Sequence, residues 1–182
     1  NKADLGGGLY CYTSNALITN NTFFLNEANP GGQGGALYCF WNSDPILTNN
    51  IMWNDTGPGG PDEISIDGTS NPTVTYCDVE GGTGAPWFGV GCIDTDPMFL
   101  DPAGYNLHLS TGSPCIEAGI NSAPVLPTRD FNHETRINGT VDMGVDEYYA
   151  YPALELHVPS QYLTIQDAID AAANGATILV QN

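Results

Sequence analysis

An internal repeat constrains this chain more than any other feature. Gly6-Gly7-Gly8-Leu9-Tyr10-Cys11 recurs as Gly34-Gly35-Ala36-Leu37-Tyr38-Cys39, and Leu17-Ile18-Thr19-Asn20-Asn21 recurs as Ile46-Leu47-Thr48-Asn49-Asn50. The offset grows from 28 residues (6 to 34) to 29 (17 to 46), so the intervening turn carries one insertion. A third, degenerate copy runs from Ile64 through Thr73-Val74-Thr75-Tyr76-Cys77-Asp78-Val79. Self-similarity at such a period is the mark of stacked repeats. Within each copy the apolar positions alternate: Leu9, Cys11, Ile18 and Phe23 are matched by Leu37, Cys39, Leu47 and Met52. Alternation of period two predicts short strands with one buried face. Gly, Asn and Pro clusters break each copy at three places. Three strands in fewer than thirty residues cannot close a sandwich. They can form one turn of a coil whose strands pair with the same strands of the next copy, a parallel β-helix with coils about 4.8 Å apart.

The stretches GGGLYCYTSNALITNNTFFLNEAN and GGALYCFWNSDPILTNNIMWND resemble the right-handed parallel β-helix repeats of large bacterial surface and secreted proteins. Asp94-Thr95-Asp96-Pro97-Met98-Phe99, Leu107-His108-Leu109 and Gly112-Ser113-Pro114-Cys115-Ile116-Glu117-Ala118-Gly119 resemble the region that closes such helices. Arg136-Ile137-Asn138-Gly139 with Val141-Asp142-Met143-Gly144 and Glu147-Tyr148 is similar to the end of a choice-of-anchor Q-like domain. The resemblance implies an all-β fold, a right-handed parallel β-helix (solenoid) with a β-rich closing domain, on a surface or secreted protein. It assigns no chemistry, since a fold hosts many functions.

Three regions are expected: β-helix coils over 1–82, a loop-rich closing domain over 83–149, and a linker with a strand-helix-strand cap over 150–182. Thr164 suits an N-cap with Asp167 completing a capping box, and Ile165, Ala168, Ile169 and Ala172 form one apolar stripe. Asn174-Gly175 reads as the C-cap. This unit resembles the amino-terminal cap of β-helix proteins, yet it follows a closing segment. Tyr151-Pro152 leads into it as a linker. Two readings stay open, a fragment of a tandem multidomain protein and a subunit whose tail caps its neighbour. In the second, Ile165, Ala168, Ile169, Ala172, Ile178 and Val180 meet another copy of the chain, and residues 94–149 close the far end of their own helix.

The chain carries 21 Asp and Glu against 3 Lys and Arg, a formal charge of −18. That excludes nonspecific nucleic-acid binding, which requires a cationic surface. Membrane insertion is not expected either, since no apolar run approaches about 18 residues. The five Cys lie at 11, 39, 77, 92 and 115, with none in a C-x-x-C pair. Cys11 and Cys39 should stack inward as thiols, because parallel Cβ vectors in register stand too far apart for a disulfide. A bond between Cys92 and Cys115 is expected in the loop-rich region, with Cys77 the competing partner.

Asp94, Asp96 and Asp101 form the densest acidic group around a loop and are the candidate ligands of a Ca²⁺ ion. The competing role is to cap turns and keep the surface soluble. No other cofactor is expected. Asn20, Asn54 and Asn138 fit the N-glycosylation pattern. Asn20 should instead stack on Asn49 at a turn, leaving Asn54 and Asn138 as glycan candidates. Polysaccharide cleavage needs a cation near the substrate or a pair of acids in a cleft. Lys2, Arg129 and Arg136 lie off the repeating strands, and Arg136 is expected to pair with Asp142. His108, His133 and His157 are dispersed. The chain therefore reads as a non-enzyme. Tyr10 over Tyr38 and Phe24 over Trp53 are expected outward, where aromatic faces stack on sugars, pack on a subunit or lie beneath a flanking loop. The function expected is that of an extracellular or cell-surface structural protein, assembling head to tail into a filament or tandem array. The alternative is a carbohydrate-binding or polysaccharide-cleaving module.

Overall fold

Strands recur coil by coil, but the first two coils carry four strands where three were expected, because the Glu27–Gln33 stretch and its counterpart Lys2–Leu5 also pair. Coil 1 comprises β1 (Lys2–Leu5), β2 (Leu9–Tyr12), β3 (Leu17–Thr19) and β4 (Thr22–Phe24). Coil 2 comprises β5 (Glu27–Gln33), β6 (Leu37–Phe40), β7 (Ile46–Thr48) and β8 (Ile51–Trp53). An antiparallel pair, β9 (Thr56–Gly57) and β10 (Gly60–Pro61), leads into coil 3, with β11 (Ile64–Ile66), β12 (Thr73–Thr75) and β13 (Asp78–Val79). The computed structural model describes residues 1–58, 60–149, 155–158, 164–171 and 177–180. Its contacts divide the chain into Asn1–Tyr148 and Tyr149–Asn182.

Like strands pair with like, in parallel: β2-β6-β11, β3-β7-β12 and β4-β8-β13, with β1-β5-β9 beside them. The register stacks Leu9 on Leu37 on Ile64, Ile18 on Leu47 on Val74, and Phe23 on Met52 on Val79. Each inward position is apolar, and these side chains form one core with Cys11, Cys39 and Cys77. Burying each large aliphatic side chain contributes roughly 1.5–3 kcal/mol, so the stack of inward residues is the main source of stability. Gly6 and Gly34 recur because both adopt positive φ, 60° and 67°. A Cβ at Gly34 would stand 2.2 Å from the Leu37 carbonyl oxygen, which bars any side chain there.

Strand ladders leave the corner amides without partners, and buried amides need them. A side chain from the following coil supplies each one. At the first corner, Ser14 N–H donates to Ser43 Oγ (3.1 Å) and Ser43 N–H to Ser70 Oγ (3.0 Å). At the second, Asn21 N–H donates to Asn50 Oδ1 (2.9 Å) and Asn50 N–H to Cys77 Sγ (3.3 Å). At the third, Asn26 N–H donates to Asp55 Oδ1 (2.6 Å) and Asp55 N–H to Glu63 Oε1 (3.1 Å). Asn50 is fully buried, and its Nδ2 also donates to the carbonyls of Ile18 and Thr48.

Asn20 does stack with Asn49, whose Nδ2 donates to Asn20 Oδ1 at 3.1 Å. Their remaining groups reach outward to the closing segment: Asn20 Nδ2 to the carbonyls of Asp142 and Gly144, and Asn49 to both the N–H and the C=O of Ile120. Thr19 and Thr22 of coil 1 bond Pro124 O and Val145 N–H. Residues 97–148 therefore run along the flank of the coils, which corrects the expectation that 94–149 sit on the far end. The physical reason is the apolar outer face of β4 and β8. Phe24, Ile51 and Trp53 point away from the core and pack with Phe99, Leu109, Cys115 and Met143. Gly144 approaches so closely that a Cβ there would meet Ile51 Cδ1 at 2.6 Å. Within this layer β14 (Phe99–Asp101) and β15 (Asn106–Leu109) pair antiparallel. The far end is covered by a shorter stretch, in which Phe88 bridges Val74 and Ile93 bridges Asp78 in parallel.

In the second unit β16 (Glu155–Val158) pairs in parallel with β17 (Thr177–Val180), with α1 (Ile165–Ala171) between them in sequence. Thr164 and Asp167 form the expected capping box, with reciprocal bonds of 3.1 and 3.2 Å. Val158, Ala168 and Ile178 pack together. Tyr151, Pro152, Ala172, Asn174 and Gly175 lie outside the described residues.

The corner hydrogen bonds give a direct prediction. Asn50→Leu should destabilise the first unit by about 3 kcal/mol in urea unfolding, since it orphans Asn21 N–H and the Ile18 carbonyl. Asn21→Ala, whose exposed side chain bonds Thr19 O, should cost less than about 1 kcal/mol by the same measurement.

Candidate functional site

Charged groups in this protein are spent on its own backbone. Asp94 accepts the N–H groups of Gly81 and Thr83, Asp96 that of Met98, and Asp101 that of Gly104. Asp96 and Asp101 fix their own turns and Asp94 the turn at residues 81–83, and among the described residues no three His, Cys, Asp or Glu converge as a metal site. Asp94, Asp96 and Asp101, the candidate Ca²⁺ ligands, are thus not brought together as one cluster and serve separate turns.

The interior holds further carboxyls that composition did not single out. Asp142 accepts the N–H groups of Glu117 and Tyr148, and burial pushes its pKa up to about 6. Glu147 accepts those of Asn138 and Asp142, and burial raises it to about 7. Asp78 is likewise raised to about 7 by burial, although Cys115 S–H and Thr95 N–H both donate to it. Arg136 sits almost wholly buried and donates to the carbonyls of Val145, Asp142 and Gly144. The expected Arg136–Asp142 pair is therefore a bond to the Asp142 backbone. The carboxylate nearest the guanidinium is Glu147, 3.9 Å from Nε.

Asp55 and Glu63 form a buried carboxyl pair at the end of the third corner column. Asp55 Oδ1 accepts both Asn26 N–H and Asn26 Nδ2, while Asp55 Oδ2 and Glu63 Oε2 have no other partner. Burial holds Glu63 protonated well above the usual carboxyl range, and Asp55 adds to the rise. Two buried carboxyls side by side cannot both ionise, so Glu63 keeps its proton.

Tyr10 stacks on Tyr38 with ring centroids 5.7 Å apart, and Tyr12 on Phe40 at 6.0 Å. Trp41 continues the strip and, like Tyr12, is more than half exposed. Phe24 and Trp53, expected outward, do lie on the outer face but under the closing layer. Asn54 and Asn138 are exposed, and Asn20 is buried with its amide engaged. All five cysteines are free thiols. The expected Cys92–Cys115 bond is not formed. Cys115 is buried against Asp78, whereas Cys92 lies in the coil core beside Cys77. Among the candidate interface residues, Ile165, Ile169 and Val180 are exposed and Ile178 is half-buried. Ala168 is fully buried within its own unit, so it offers no surface to a partner.

Raised carboxyl pKa values set the sign of the pH dependence. Unfolded carboxyls titrate near 4, so above that pH the folded chain holds more protons than the unfolded one. Stability from these groups is complete below about pH 4 and is lost as pH rises through 6 to 7. The melting temperature of the first unit should fall between pH 5 and pH 8. In Glu63→Gln, one fewer proton is coupled to folding, and the slope should shrink by up to about 1.4 kcal/mol per pH unit in calorimetry.

The family profile described as "Right handed beta helix region" matches residues 2–98, which span all three coils and the cover of the last one. No curated protein and no solved structure matches the chain. Three in-register parallel sheets, a continuous inward apolar stack and this match over more than half of the sequence lead to one assignment: the chain belongs to the right-handed β-helix family.

Proposed function

We propose that this chain is a structural module of an extracellular or cell-surface array, joined head to tail with further copies. The observation that carries this reading is the edge of coil 1. Among the described residues β1, β2, β3 and β4 each lie at an unpaired edge of their sheet. A row of unpaired backbone groups is a template for another strand. Each coil caps the corner amides of the coil before it, and Ser14 and Asn21 stand where they would do the same for a preceding coil. A cleft of about 280 Å³ opens at Asn21, lined also by Gly8, Phe23, Asn26 and Leu107 among others.

The β16-α1-β17 unit has complementary needs. Its strands pair in parallel, as added coils would, and Ile165, Ile169 and Val180 are exposed. In an array this unit from one copy covers coil 1 of the next, and in a tandem polypeptide the same joint forms within one chain. The closing segment ending in Arg136–Tyr148 is read as choice-of-anchor Q-like. A non-catalytic role accords with its charged groups: Lys2 pairs with Glu27, Arg129 bonds His133 O, and Arg136 is enclosed by carbonyls.

Exposure of the strip Tyr10, Tyr12 and Trp41 favours a second reading, in which the array displays a glycan-binding face. Titration of intrinsic fluorescence with neutral and acidic polysaccharides tests it. Saturable quenching that is lost in Trp41→Ala supports it, and an unchanged spectrum opposes it.

Assembly itself is tested by sedimentation velocity and electron microscopy across protein and salt concentration. With 18 net negative charges, copies repel, so association should strengthen as salt screens them. Linear oligomers are expected, and the double variant Ile165→Asp, Ile169→Asp should dissociate them while leaving the circular dichroism spectrum intact. A monomer under every condition, or oligomers indifferent to the double variant, contradicts the proposal.

A further inference from the structure

We propose that Cys77 and Cys92 are a redox couple whose disulfide fastens the cover of the last coil, residues 81–93, to coil 3. Cys77 ends the second corner column, Asn21–Asn50–Cys77, and is fully buried. Ile93 N–H donates to the Cys77 carbonyl (2.9 Å), and Val79 N–H donates to the Ile93 carbonyl (2.9 Å). These bonds set Ile93 beside Asp78 in parallel, so Cys92, one residue earlier, falls beside Cys77. Both thiols belong to the coil core, where Cys77 S–H donates to the Thr75 carbonyl (3.3 Å) and Cys92 S–H to the Val74 carbonyl (3.5 Å). Cys92 thus occupies the place that Asn50 and Cys77 hold on earlier coils.

The other cysteines differ in ways that matter chemically. Cys11 and Cys39 also lie side by side, but strands β2 and β6 hold them in register through four consecutive pairs, Leu9–Leu37 to Tyr12–Phe40. Their Cβ separation is fixed at the ladder spacing, and both are buried from reagents. Cys115 is buried and donates to Asp78. Cys92 is half-buried and is held by a single bridge and a turn, with Gly89 and Gly91 beside it. It therefore has both access and room to adjust. The neighbouring Cys77 thiol lowers the pKa of Cys92 to about 7, which makes Cys92 the attacking thiolate, whereas burial holds the Cys77 thiol up and the Asn50 N–H on its Sγ offsets only part of that rise.

Oxidation requires a co-reactant, here a low-molecular-weight disulfide. The Cys92 thiolate attacks one sulfur of that disulfide, whose S–S bond breaks and releases one thiolate, which takes up a proton. Cys77 then loses its proton, and its thiolate attacks Cys92 Sγ and expels the second small thiol. Two electrons and two protons pass from the protein dithiol to the small disulfide, which leaves as two thiols. The new bond closes a loop from residue 77 to residue 92 and so limits fraying of the exposed end of the solenoid.

The experiment exposes the reduced full chain to oxidised glutathione at pH 8, blocks residual thiols with N-ethylmaleimide after denaturation, and maps peptides with a non-tryptic protease. A single Cys77–Cys92 disulfide is expected, with Cys11, Cys39 and Cys115 blocked. The oxidised protein should melt several degrees higher than the reduced one. Cys77→Ala should stop at a glutathione adduct on Cys92, and Cys92→Ser should take up glutathione at least about tenfold more slowly than the native chain. Should Cys77→Ala fail to fold, the Cys92→Ser rate and the melting shift of the native chain still decide the matter. A Cys11–Cys39 or Cys92–Cys115 link, a glutathione adduct that persists on native Cys92, or no reaction at all overturns the proposal.

Discussion

The hydrogen bond from a corner amide to a side chain of the following coil is the interaction on which the solenoid rests. Sheet ladders and apolar stacking operate along the straight segments, and neither reaches an amide that turns inward between them. An unsatisfied buried amide costs roughly 1–3 kcal/mol, comparable to burying a whole aliphatic side chain. Six such amides, at Ser14, Asn21, Asn26, Ser43, Asn50 and Asp55, are each bonded to an acceptor contributed by the later coil. The acceptors are hydroxyls at the first corner, an amide and then a thiol at the second, and carboxyls at the third, but the direction is the same throughout. A coil is complete only when the next is in place, and stability passes from neighbour to neighbour as expected of a one-dimensional fold.

That dependence also explains the acidic interior. The third corner column runs from Asn26 to Asp55 to Glu63, and at its end the acceptors are two buried carboxyls. Keeping Glu63 protonated resolves the conflict and couples the fold to pH. On the flank, Asp142 and Glu147 do similar work for loop amides, and Arg136 gives its hydrogen bonds to carbonyls while its Nε lies 3.9 Å from Glu147. With 3 basic residues against 21 acidic ones, the chain has little cation to pair with and relies on backbone N–H groups for its buried acids.

The coils were legible because their residues repeat and alternate. Leu9, Leu37 and Ile64 announce a stacked inward position, and the structure stacks them. The columns were harder to see because adjacent identical residues play opposite parts. Asn49 takes positive φ, 58°, and turns its amide outward to Ile120, while Asn50 next to it turns inward. Nothing in the pair Asn49-Asn50 separates the two until the backbone is known. Cys92 was misread for a related reason: it completes a column after a shortened coil, 15 residues beyond Cys77, where the repeat length no longer guides alignment. The flank layer escaped notice because its residues lack periodicity; only the outward Phe24 and Trp53 hinted that something covers β4 and β8. Ala168 shared a helical stripe with Ile165 and Ile169, yet α1 spans only seven residues and turns Ala168 alone into its own unit.

The corner amides of coil 1 are satisfied by coil 2, but its strands end their sheets among the described residues and its own Ser14 and Asn21 have no earlier corner to cap, so this edge is where a further coil should add. Hydrogen exchange of the intact chain, measured by mass spectrometry under dilute low-salt and concentrated high-salt conditions, reads this directly. The account predicts that amides of β2, β3 and β4 exchange fast when dilute and become protected on association, while those of β6, β7 and β8 are protected throughout. Protection that appears elsewhere, with coil 1 unchanged, would contradict it.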